Sequence, residues 1–449
     1  MICLYDRLHE GTTIQSDSRA LDYLALRSLA SQLRAKHPHL AGRAVAIHGL
    51  PFHAIGCLLA LDGWASDVVL VPTGACRQFI ERVLAAVPLA AVLTDSSVEA
   101  CTWPAELVGV NSQASQVEEA SDRPVQKTRW LIATSGTTST PKLVAHTLDT
   151  LTRSISAKRR HSGAIWGLLY DPARFAGLQV VLQVLMGGGT LVAPDLRLAL
   201  SERLSLFLRH GVNALSATPT LWRKLLMTPG GTGLALQQIT LGGEITDERT
   251  IKALAQTYPK AHITHIYAST EAGVGFAVHD GYPGFPAAWL NVEGQDMKLC
   301  ISEASTLLIR PALRDQAYVG AQQVLFDEGG WLDTGDLVEC RADRVVFKGR
   351  ANGSINVGGN KVMPEEVEAH IQQLDFITAA MVRPKASSLA GALLEALVVL
   401  KNDAPVMQEA VAAIKKHCRD QLAAYKVPAF VKVVDQLPMT AAGKLARGG

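Results

Sequence analysis

The segment WLIATSGTTSTPK, residues 130–142, runs from an apolar strand pattern straight into a polar loop. The loop is crowded with serine and threonine hydroxyls and also holds one glycine and Lys142. Hydroxyls and free backbone N–H groups hold phosphate oxygens, and a lysine adds a positive charge. The order differs from G-x-x-x-x-G-K-[ST], so the segment is not an ordinary P-loop. It predicts a phosphate-binding loop of another kind, with a Ser/Thr-rich surface turn as the alternative.

Short apolar runs alternate with helical patterns on both sides of this loop, from about residue 20 to residue 271. Continuous apolar strands separated by helices are typical of βαβ units with buried, largely parallel sheets. The pattern therefore predicts an α/β fold for this region. We expect helices at 21–33, 201–210 and 247–258, and strands at 44–48, 68–71, 90–94, 130–134, 164–170, 190–193, 213–217, 239–241 and 262–267.

The pattern changes twice in the second half of the chain. From about residue 274 to residue 347, short alternating strands separated by Gly, Pro and Asp turns predict a small antiparallel β unit. After residue 350, Pro364 and the acids behind it open a helix, because both suit a first helical turn. We expect a large N-terminal domain, 1–350, and a small α+β C-terminal domain, 351–449. The expected strands here are 298–301, 306–309, 324–326, 337–340, 345–347, 379–382 and 393–400, with a helix at 406–423.

The composition limits the class of protein. With 48% hydrophobic and 19% charged residues over 449 positions, the chain can build a core, which excludes wholesale disorder. Its 43 basic and 41 acidic residues give a net charge of +2, which argues against a nucleic-acid partner. The seven cysteines form no C-x-x-C pair, so neither a zinc site nor a disulfide framework is indicated. Because no signal peptide and no long apolar run are visible, we expect a cytoplasmic protein without a membrane partner.

Five further motifs follow the loop along the chain: GGE at 242–244, YASTE at 267–271, DTGDL at 333–337, KGRAN at 348–352 and PMTAAGK at 438–444. With the loop they resemble, in order, the motifs of the acyl-adenylate-forming (AMP-binding) superfamily. That superfamily includes acyl- and aryl-CoA ligases, peptide-synthetase adenylation domains and luciferases. The resemblance covers roughly residues 44–447. Ser139 stands where the family has a loop glycine, and Asn352 stands where its hinge has Asp or Lys.

The resemblance implies an enzyme that activates a carboxylic acid with ATP as acyl-AMP, releases pyrophosphate and transfers the acyl group to a thiol. The implied cofactors are ATP, Mg²⁺, and CoA or phosphopantetheine as the acyl acceptor. The implied partners are a small carboxylic acid and, where the thiol is not CoA, an acyl or peptidyl carrier protein. A catalytically silent nucleotide-binding scaffold or regulator of the same fold is the alternative. No residue singles out a luciferase-like oxidation.

The resemblance also assigns roles to residues around the nucleotide. Lys444 would bridge the substrate carboxylate and the α-phosphate, because two anions must approach and charge builds on the phosphoryl oxygens. Thr270 would meet phosphate, and the carboxylate of Glu271 would hold Mg²⁺. The other implied nucleotide contacts are Thr134, Ser135, Gly136, Thr137, Thr138, Lys142, Gly242, Gly243, Glu244, Tyr267, Ala268, Ser269, Asp336 and Arg350.

An acyl pocket and a mobile C-terminal domain are implied in the same way. The pocket residues would be Arg174, Phe175, Gly177, Gly273 and Phe276. A buried Arg174 would suit a second anionic group on the substrate, whereas pairing with Asp171 is the plainer explanation. Asn352 would be the hinge of the rotating domain. Gly358 and Gly359 would form the loop of the thiol step, since glycine allows the close approach of a pantetheine arm.

Several of these residues also have an ordinary structural explanation. Lys444 fits a solvated lysine near a chain end, and Glu271 fits an acid at a helix N-terminus. Tyr267 fits a core aromatic at a strand end, and Asp336 fits a turn aspartate. The segment 358–361 fits a plain turn between two strands. The motif context favours the functional explanation for Lys444 and Glu271, and it leaves the two explanations of 358–361 equal.

Overall fold

The computed structural model describes residues 2–95, 103, 105–110, 126–134, 142–155, 163–292, 294, 296–320, 324–387, 391–401, 403–440 and 444–446. These residues form four β-sheets with helices packed on their faces. Two large sheets and a small antiparallel sheet precede residue 351, and a fourth sheet with two helices follows it. The predicted fold class, an α/β region followed by a small α+β region, is therefore confirmed.

Four of the α-helices begin at a residue whose side chain accepts a hydrogen bond from a free backbone N–H group of the first turn. Asp22, Thr147, Thr218 and Asp247 each accept one from the residue three positions later. The helix expected from residue 21 starts after Asp22 instead, because Leu21 pairs in a strand. The α-helices are α1 (Leu4–Arg7), α2 (Tyr23–Lys36), α3 (Pro51–Leu61), α4 (Arg77–Ala86), α5 (Leu148–Thr152), α6 (Phe175–Gly187), α7 (Leu200–Arg209), α8 (Pro219–Met227), α9 (Glu248–Thr257), α10 (Pro364–Ile371) and α11 (Met407–Gln421).

Most strands coincide with the apolar runs expected from the sequence. The expected strand at 324–326 is wrong, because these residues pair with no other strand and the side chain of Val324 points into solvent. The strands are β1 (Thr12–Gln15), β2 (Ala20–Asp22), β3 (Ala44–His48), β4 (Asp67–Leu70), β5 (Leu89–Thr94), β6 (Glu106–Gly109), β7 (Arg129–Ala133), β8 (Leu143–His146), β9 (Ile165–Gly167), β10 (Gly189–Val192), β11 (Ala214–Ala217), β12 (Gln238–Gly242), β13 (His262–Ser269), β14 (Gly273–Val278), β15 (Phe285–Pro286), β16 (Met297–Ile301), β17 (Thr306–Pro311), β18 (Ala317–Val319), β19 (Leu332–Arg341), β20 (Arg344–Arg350), β21 (Ile355–Val357), β22 (Asn360–Val362), β23 (Ile377–Ser387), β24 (Gly391–Leu400) and β25 (Phe430–Val433).

The two large sheets are parallel in their centres; antiparallel pairing occurs at one edge of the first sheet and at both edges of the second. One has the order β18-β8-β7-β4-β3-β5-β6, with parallel pairing from β7 to β6. The other has the order β14-β13-β12-β11-β9-β10-β1-β2, with parallel pairing from β13 to β1. Central strands such as β3 and β4 are buried at every position, which explains their unbroken apolar sequence.

The two smaller sheets follow in the second half of the chain. The order β15-β20-β19-β17-β16 is antiparallel throughout, as the alternating pattern predicts. In the fourth sheet β24 lies between β23 and β25, and one face packs its apolar residues against α10 and α11. Among the described residues, no helix is both long enough and apolar enough to cross a membrane.

The topology brings the motif segments together at strand ends. β12 ends at Gly242 and β13 ends at Ser269, and these strands are parallel neighbours. β7 and β8 pair on either side of the polar loop and lie in the other large sheet. The carboxyl ends of parallel strands meet at one edge of a sheet, which is where α/β proteins place their ligands.

Candidate active site

The ends of the polar loop lie side by side. The backbone N–H of Thr134 donates to the carbonyl of Lys142 at 2.8 Å, and the N–H of Lys142 donates to Thr134 Oγ1 at 3.2 Å. The Lys142 ammonium lies 4.8 Å from the centre of the Tyr318 ring. The other predicted residues of the loop, Ser135, Gly136, Thr137 and Thr138, lie outside the described residues. Thr134 and Lys142 therefore form the base of the loop, on the strands that carry it.

Thr270 and Glu271 occupy the tight turn between β13 and β14. Ser269 pairs with Gly273 across this turn, and Ser269 Oγ accepts the backbone N–H of Ala272 at 3.0 Å. Gly273 has a φ of +76°, a conformation that favours glycine. The acid thus lies at the tip of a hairpin rather than at the N-terminus of a helix, which rules out the alternative explanation offered for Glu271.

Tyr267, Asp336 and Arg350 form one hydrogen-bonded group. The Tyr267 hydroxyl donates to Asp336 Oδ2 at 2.6 Å, and Arg350 Nε donates to Asp336 Oδ1 at 2.8 Å. Burial, reinforced by the Asp336 carboxylate, raises the pKa of Tyr267 well above its ordinary value. Burial by itself would lower the pKa of Arg350. The Asp336 carboxylate has the opposite and larger effect, so the pKa of Arg350 is raised. The Tyr267 ring lies nearly parallel to those of Phe276 and Phe347, with centres 5.2 and 5.1 Å away.

The side chain of Lys444 reaches into this group from the end of the chain. A Cβ built on Gly243 would lie 3.3 Å from Lys444 Cε, and Gly243 has a φ of +81° that suits glycine. Burial, together with the charge of Arg350, lowers the pKa of Lys444. The carboxylates of Glu244, Asp336 and Glu271 act in the opposite direction. Lys444 is therefore a partly buried ammonium among charged groups from distant segments, which the explanation as a freely solvated lysine does not describe.

Glu244 ties the Lys444 segment to the large N-terminal region. Its Oε2 accepts the backbone N–H of Thr220 in the first turn of α8 at 3.0 Å. Its Oε1 accepts the N–H of Leu445 at 3.1 Å. The sequence analysis named Glu244 only as an implied nucleotide contact and missed this role of its side chain. The contact spans 201 positions, so no local pattern announces it.

Two of the predicted acyl-pocket residues lie together. A Cβ on Gly273 would be 3.9 Å from Phe175 Cζ. Arg174 precedes Phe175 at the N-terminus of α6, and its Nε is buried without an acceptor among the described residues. Burial lowers the pKa of Arg174, against the opposing charge of Asp171. The Asp171 carboxylate itself accepts the N–H groups of Thr73 and Ala173, and no hydrogen bond joins it to Arg174 within the described ranges.

The other two predicted pocket residues have different surroundings. A Cβ on Gly177 would lie 2.1 Å from the carbonyl oxygen of Asp171, so this glycine allows α6 to approach the preceding loop. The Phe276 ring packs 4.7 Å from that of Phe285 and 5.8 Å from that of Trp289. The structure therefore groups Phe276 with the aromatic rings around Tyr267. For both residues the role in an acyl pocket stays a prediction.

The predicted hinge and the thiol-step loop lie in exposed turns. Asn352 is in a short exposed turn between β20 and β21. Gly358 and Gly359 connect β21 to β22 with φ values of +56° and +89°, which a two-residue hairpin turn of this kind requires. Among the described residues, no atom outside the adjoining chain lies within 4 Å of the Cβ position of either glycine. This geometry suits a plain turn and a loop that moves equally well, and both roles stay predictions.

Sequence reasoning missed three residues that border the site. His146 Nε2 lies 2.6 Å from the carbonyl oxygen of Thr270. Arg153 Nη2 donates to the carbonyls of Ala272 and Val274 at 3.0 and 2.8 Å. The Tyr318 ring lies against the Lys142 ammonium. Burial, and to a smaller extent the charge of Glu271, raises the pKa of Tyr318. In the sequence, the one sign of these residues was His146, which ends the apolar run LVAH directly after the polar loop.

The fold and the site define a nucleotide-binding enzyme of two lobes, and comparison with known proteins identifies its family. Residues 65–298 match the family described as AMP-binding enzyme, and residues 366–444 match the AMP-binding enzyme C-terminal domain. The chain therefore belongs to the AMP-binding enzymes, the acyl-adenylate-forming superfamily that its motifs predicted.

Similar proteins come from several members of this superfamily. Surfactin synthase subunit 1 of Bacillus subtilis (strain 168) is 25% identical over 398 residues, 79% of this chain but 11% of that protein. D-alanine–D-alanyl carrier protein ligase of Staphylococcus aureus (strain Newman) is 26% identical over 348 residues, 71% of this chain and 70% of the ligase. This chain thus spans only a small part of the first relative and about two thirds of the second.

Solved structures show the same fold. o-Succinylbenzoate CoA synthetase from Bacillus subtilis, in complex with its acyl-adenylate intermediate, has a TM-score of 0.74 and 21% identity, covering 97% of this chain and 94% of the other. The same synthetase with ATP and magnesium ion has a TM-score of 0.75 and 21% identity, covering 99% and 98%.

Proposed function

We propose that this protein activates a carboxylic acid with ATP, releases pyrophosphate, and transfers the acyl group from acyl-AMP to a thiol. The observation that carries the proposal is the convergence of Arg350 and three carboxylates from separate segments on the Lys444 ammonium. A partly buried lysine with a shifted pKa among converging charged groups is typical of a site that handles a charged substrate. We expect the anionic substrate to bind between Lys444 and Lys142.

The charge distribution fits the first chemical step. A carboxylate oxygen attacks the α-phosphorus, forming a P–O bond while the bond to pyrophosphate breaks. Two anions approach each other, so the reaction needs positive charge and hydrogen-bond donors rather than a general base. Lys444 and Lys142 supply the charge, from the C-terminal segment and from the base of the loop. Thr134 and Thr270 supply hydroxyls near the phosphates.

The residues also fit a magnesium ion. Mg²⁺ prefers oxygen ligands and keeps several waters, so one or two carboxylates together with substrate phosphates suffice. Glu271 offers such a carboxylate at the hairpin tip, and the ion, when bound, neutralises charge on the phosphates. Its electrostatic interaction with Lys444 supports the proposal that both residues act on the same substrate group.

Asp336 is proposed to hold the ribose. Tyr267 and Arg350 each donate to one of its oxygens, which orients the carboxylate. A carboxylate has about four acceptor positions, so lone pairs remain for ribose hydroxyls. In this proposal adenine lies between the backbone of 242–244 and the exposed part of the Tyr267 ring.

The second step uses the C-terminal lobe, for which we propose residues 351–449. Rotation about Asn352 withdraws Lys444 and brings the turn at Gly358 and Gly359 to the acyl group. The acceptor is CoA or the phosphopantetheine of a separate carrier protein. Both acceptors are supported by similar proteins: one relative is named as a carrier protein ligase, and one solved structure is that of a CoA synthetase. ATP, Mg²⁺ and both kinds of thiol are available in the cytoplasm, where we expect the enzyme to work.

The test is a screen of carboxylic acids by exchange of labelled pyrophosphate into ATP. We expect exchange only with a matching acid, and mono- and di-acids compared in wild type and Arg174→Ala show whether Arg174 selects a second anionic group. CoA and carrier proteins are then compared as acceptors. Nucleotide binding without exchange for any acid in a broad panel would favour the silent scaffold over the proposed enzyme.

A further inference from the structure

The proposed magnesium ligand lies on a turn that is weakly fixed by its own residues. Ala272 and Gly273 follow Glu271; both are small, and glycine is conformationally permissive. Within the turn the stabilising side-chain contact is that of Ser269 Oγ with the N–H of Ala272. A carboxylate that holds a metal ion needs neighbours that fix its backbone. Such neighbours come from another part of the chain.

Two side chains bind the backbone on both sides of Glu271. His146 Nε2 lies 2.6 Å from the carbonyl oxygen before it, that of Thr270. Arg153 Nη2 donates to the carbonyl after it, that of Ala272, at 3.0 Å, and to that of Val274 at 2.8 Å. We name His146 and Arg153 the β8–α5 clamp.

The clamp begins four residues after the polar loop ends. β8 starts directly after Lys142, and His146 is its last residue. Thr147 then caps α5, which Arg153 follows. The strand that leaves the proposed phosphate loop is thus connected, within a few residues, to the turn that carries Glu271. The path is short and rigid, because β8 pairs with neighbours on both sides.

The histidine has the properties of a fixed donor. Its side chain is fully buried, and its ring lies 5.8 Å from that of Phe175. A carbonyl oxygen only accepts, so the hydrogen must be on Nε2, and Nδ1 then faces the Thr150 hydroxyl at 3.2 Å. Burial, with a smaller contribution from Arg153, lowers the pKa of His146 to about 4, so the ring is neutral near pH 7.

The arginine is fixed in the same way. It gives its donors to carbonyl oxygens, including that of Leu313 at 3.4 Å, and within the described residues it forms no salt bridge. Burial lowers the pKa of Arg153, and only the distant charge of Asp296 opposes this. A guanidinium with several donors in one plane suits the alignment of successive carbonyls.

We propose that the β8–α5 clamp positions Glu271: His146 and Arg153 set the backbone on both sides of this carboxylate at a constant distance from Lys142, at the base of the proposed phosphate loop. The inference rests on the proposed function, because it assumes that Glu271 holds Mg²⁺. His146 and Arg153 are positioning residues in this account. They touch neither substrate nor metal.

The test is the effect of Mg²⁺ on ATP binding, measured by titration calorimetry without any acid. His146→Leu removes the donor, whereas His146→Gln keeps an amide N–H near the position of Nε2. Losing one buried hydrogen bond corresponds to about a tenfold change in an equilibrium constant. We expect His146→Leu to reduce the Mg²⁺-dependent gain in ATP affinity about tenfold, and His146→Gln to retain it. ATP affinity without Mg²⁺ should change little in either variant.

His265→Leu is the matched control, because His265 is also buried and its Nε2 meets a carbonyl, that of Tyr282, at 2.9 Å. We expect it to lower thermal stability without changing the magnesium effect. The proposal is overturned if His146→Leu keeps the full magnesium effect, whatever its melting temperature. If His146→Leu does not fold, Arg153→Lys replaces it, and an undiminished magnesium effect there has the same consequence. A wild-type protein whose ATP affinity ignores Mg²⁺ would instead refute the metal role of Glu271 and leave the clamp geometry as it is.

Discussion

The Glu271 turn and the Lys444 segment reach the same site, but they are held there in different ways. The turn is held by the buried His146 and the half-buried Arg153, both within the large region. The small lobe that carries Lys444 is held to the large region by Leu445 N–H on Glu244 and by Arg249 of α9, which donates to the carbonyls of Gln372 and Leu374.

The difference lies in which regions the contacts join. The hydrogen bonds of His146 and Arg153 and those of Glu244 and Arg249 are all partly buried, so exposure does not distinguish them. Both partners of the former lie in the large region, whereas the latter join the two lobes and have to break when the small lobe moves. Lys224 to Gln436, at 3.4 Å, is an exposed contact between the lobes. We therefore expect the Glu271 turn to keep its place and Lys444 to leave with the small lobe.

The largest effect is expected at Lys444. Lys444→Ala should lower acid-dependent pyrophosphate exchange about 10²–10³-fold, because a fixed positive charge at the developing phosphoryl charge is lost. ATP binding should stay close to wild type. Lys416→Ala is the control, since Lys416 is exposed on α11 and pairs with Asp420. Exchange at the wild-type rate in Lys444→Ala would remove the lysine from the mechanism.

The next effect concerns the metal. Glu271→Gln keeps the shape of the side chain and removes its charge, so we expect pyrophosphate exchange to fall about 100-fold and to need far more Mg²⁺. The measurement is a magnesium titration of the exchange rate. Glu303→Gln, at an exposed turn, is the control. A magnesium titration that matches wild type would show that Glu271 is not a ligand.

A smaller effect is expected from pH. The pKa of His146 is lowered from an unfolded value of about 6.5 to about 4, so between these values the unfolded chain binds a proton that the folded protein does not. Stability contributed by the neutral ring is thus complete above pH 6.5 and is lost as the pH falls toward 4, by about 3 kcal/mol. The free energy of unfolding of wild type minus that of His146→Gln, from urea titrations at several pH values, should shrink by this amount. A difference independent of pH would contradict the assignment of a neutral ring.

The smallest effect is expected at the contact between the lobes. Arg249→Ala should slow adenylation only a few-fold, because a partly exposed hydrogen-bonding contact contributes about 1 kcal/mol. Acyl transfer from preformed acyl-AMP to the thiol should be unchanged or faster, since the small lobe is released more easily. Arg209→Ala is the control, because Arg209 pairs with Asp17 on the surface of the large region. Equal slowing of both half-reactions would mean that the contact does not distinguish the two positions of the lobe.

Much of the fold was predictable because it depends on local patterns. The apolar runs of β3 and β12 and the turn at Gly358 and Gly359 follow from residues that are neighbours in the chain. The order of six motifs placed the chain in its family. The strand expected at 324–326 failed for the same reason that others succeeded, because a short apolar run says nothing about whether a partner strand lies beside it.

By itself, the sequence determined the alternation of strands and helices, the polar loop, and the residue types that suit a triphosphate and a carboxylate. Only the tertiary structure decided that His146 binds the Thr270 carbonyl across 124 positions and that Glu244 binds Leu445 across 201. The tertiary structure alone also shows that Phe276 packs against Tyr267 and that Gly177 lies against the backbone of Asp171. Such contacts depend on which surfaces meet when separate elements pack together, and that choice is made by the whole core rather than by any local pattern.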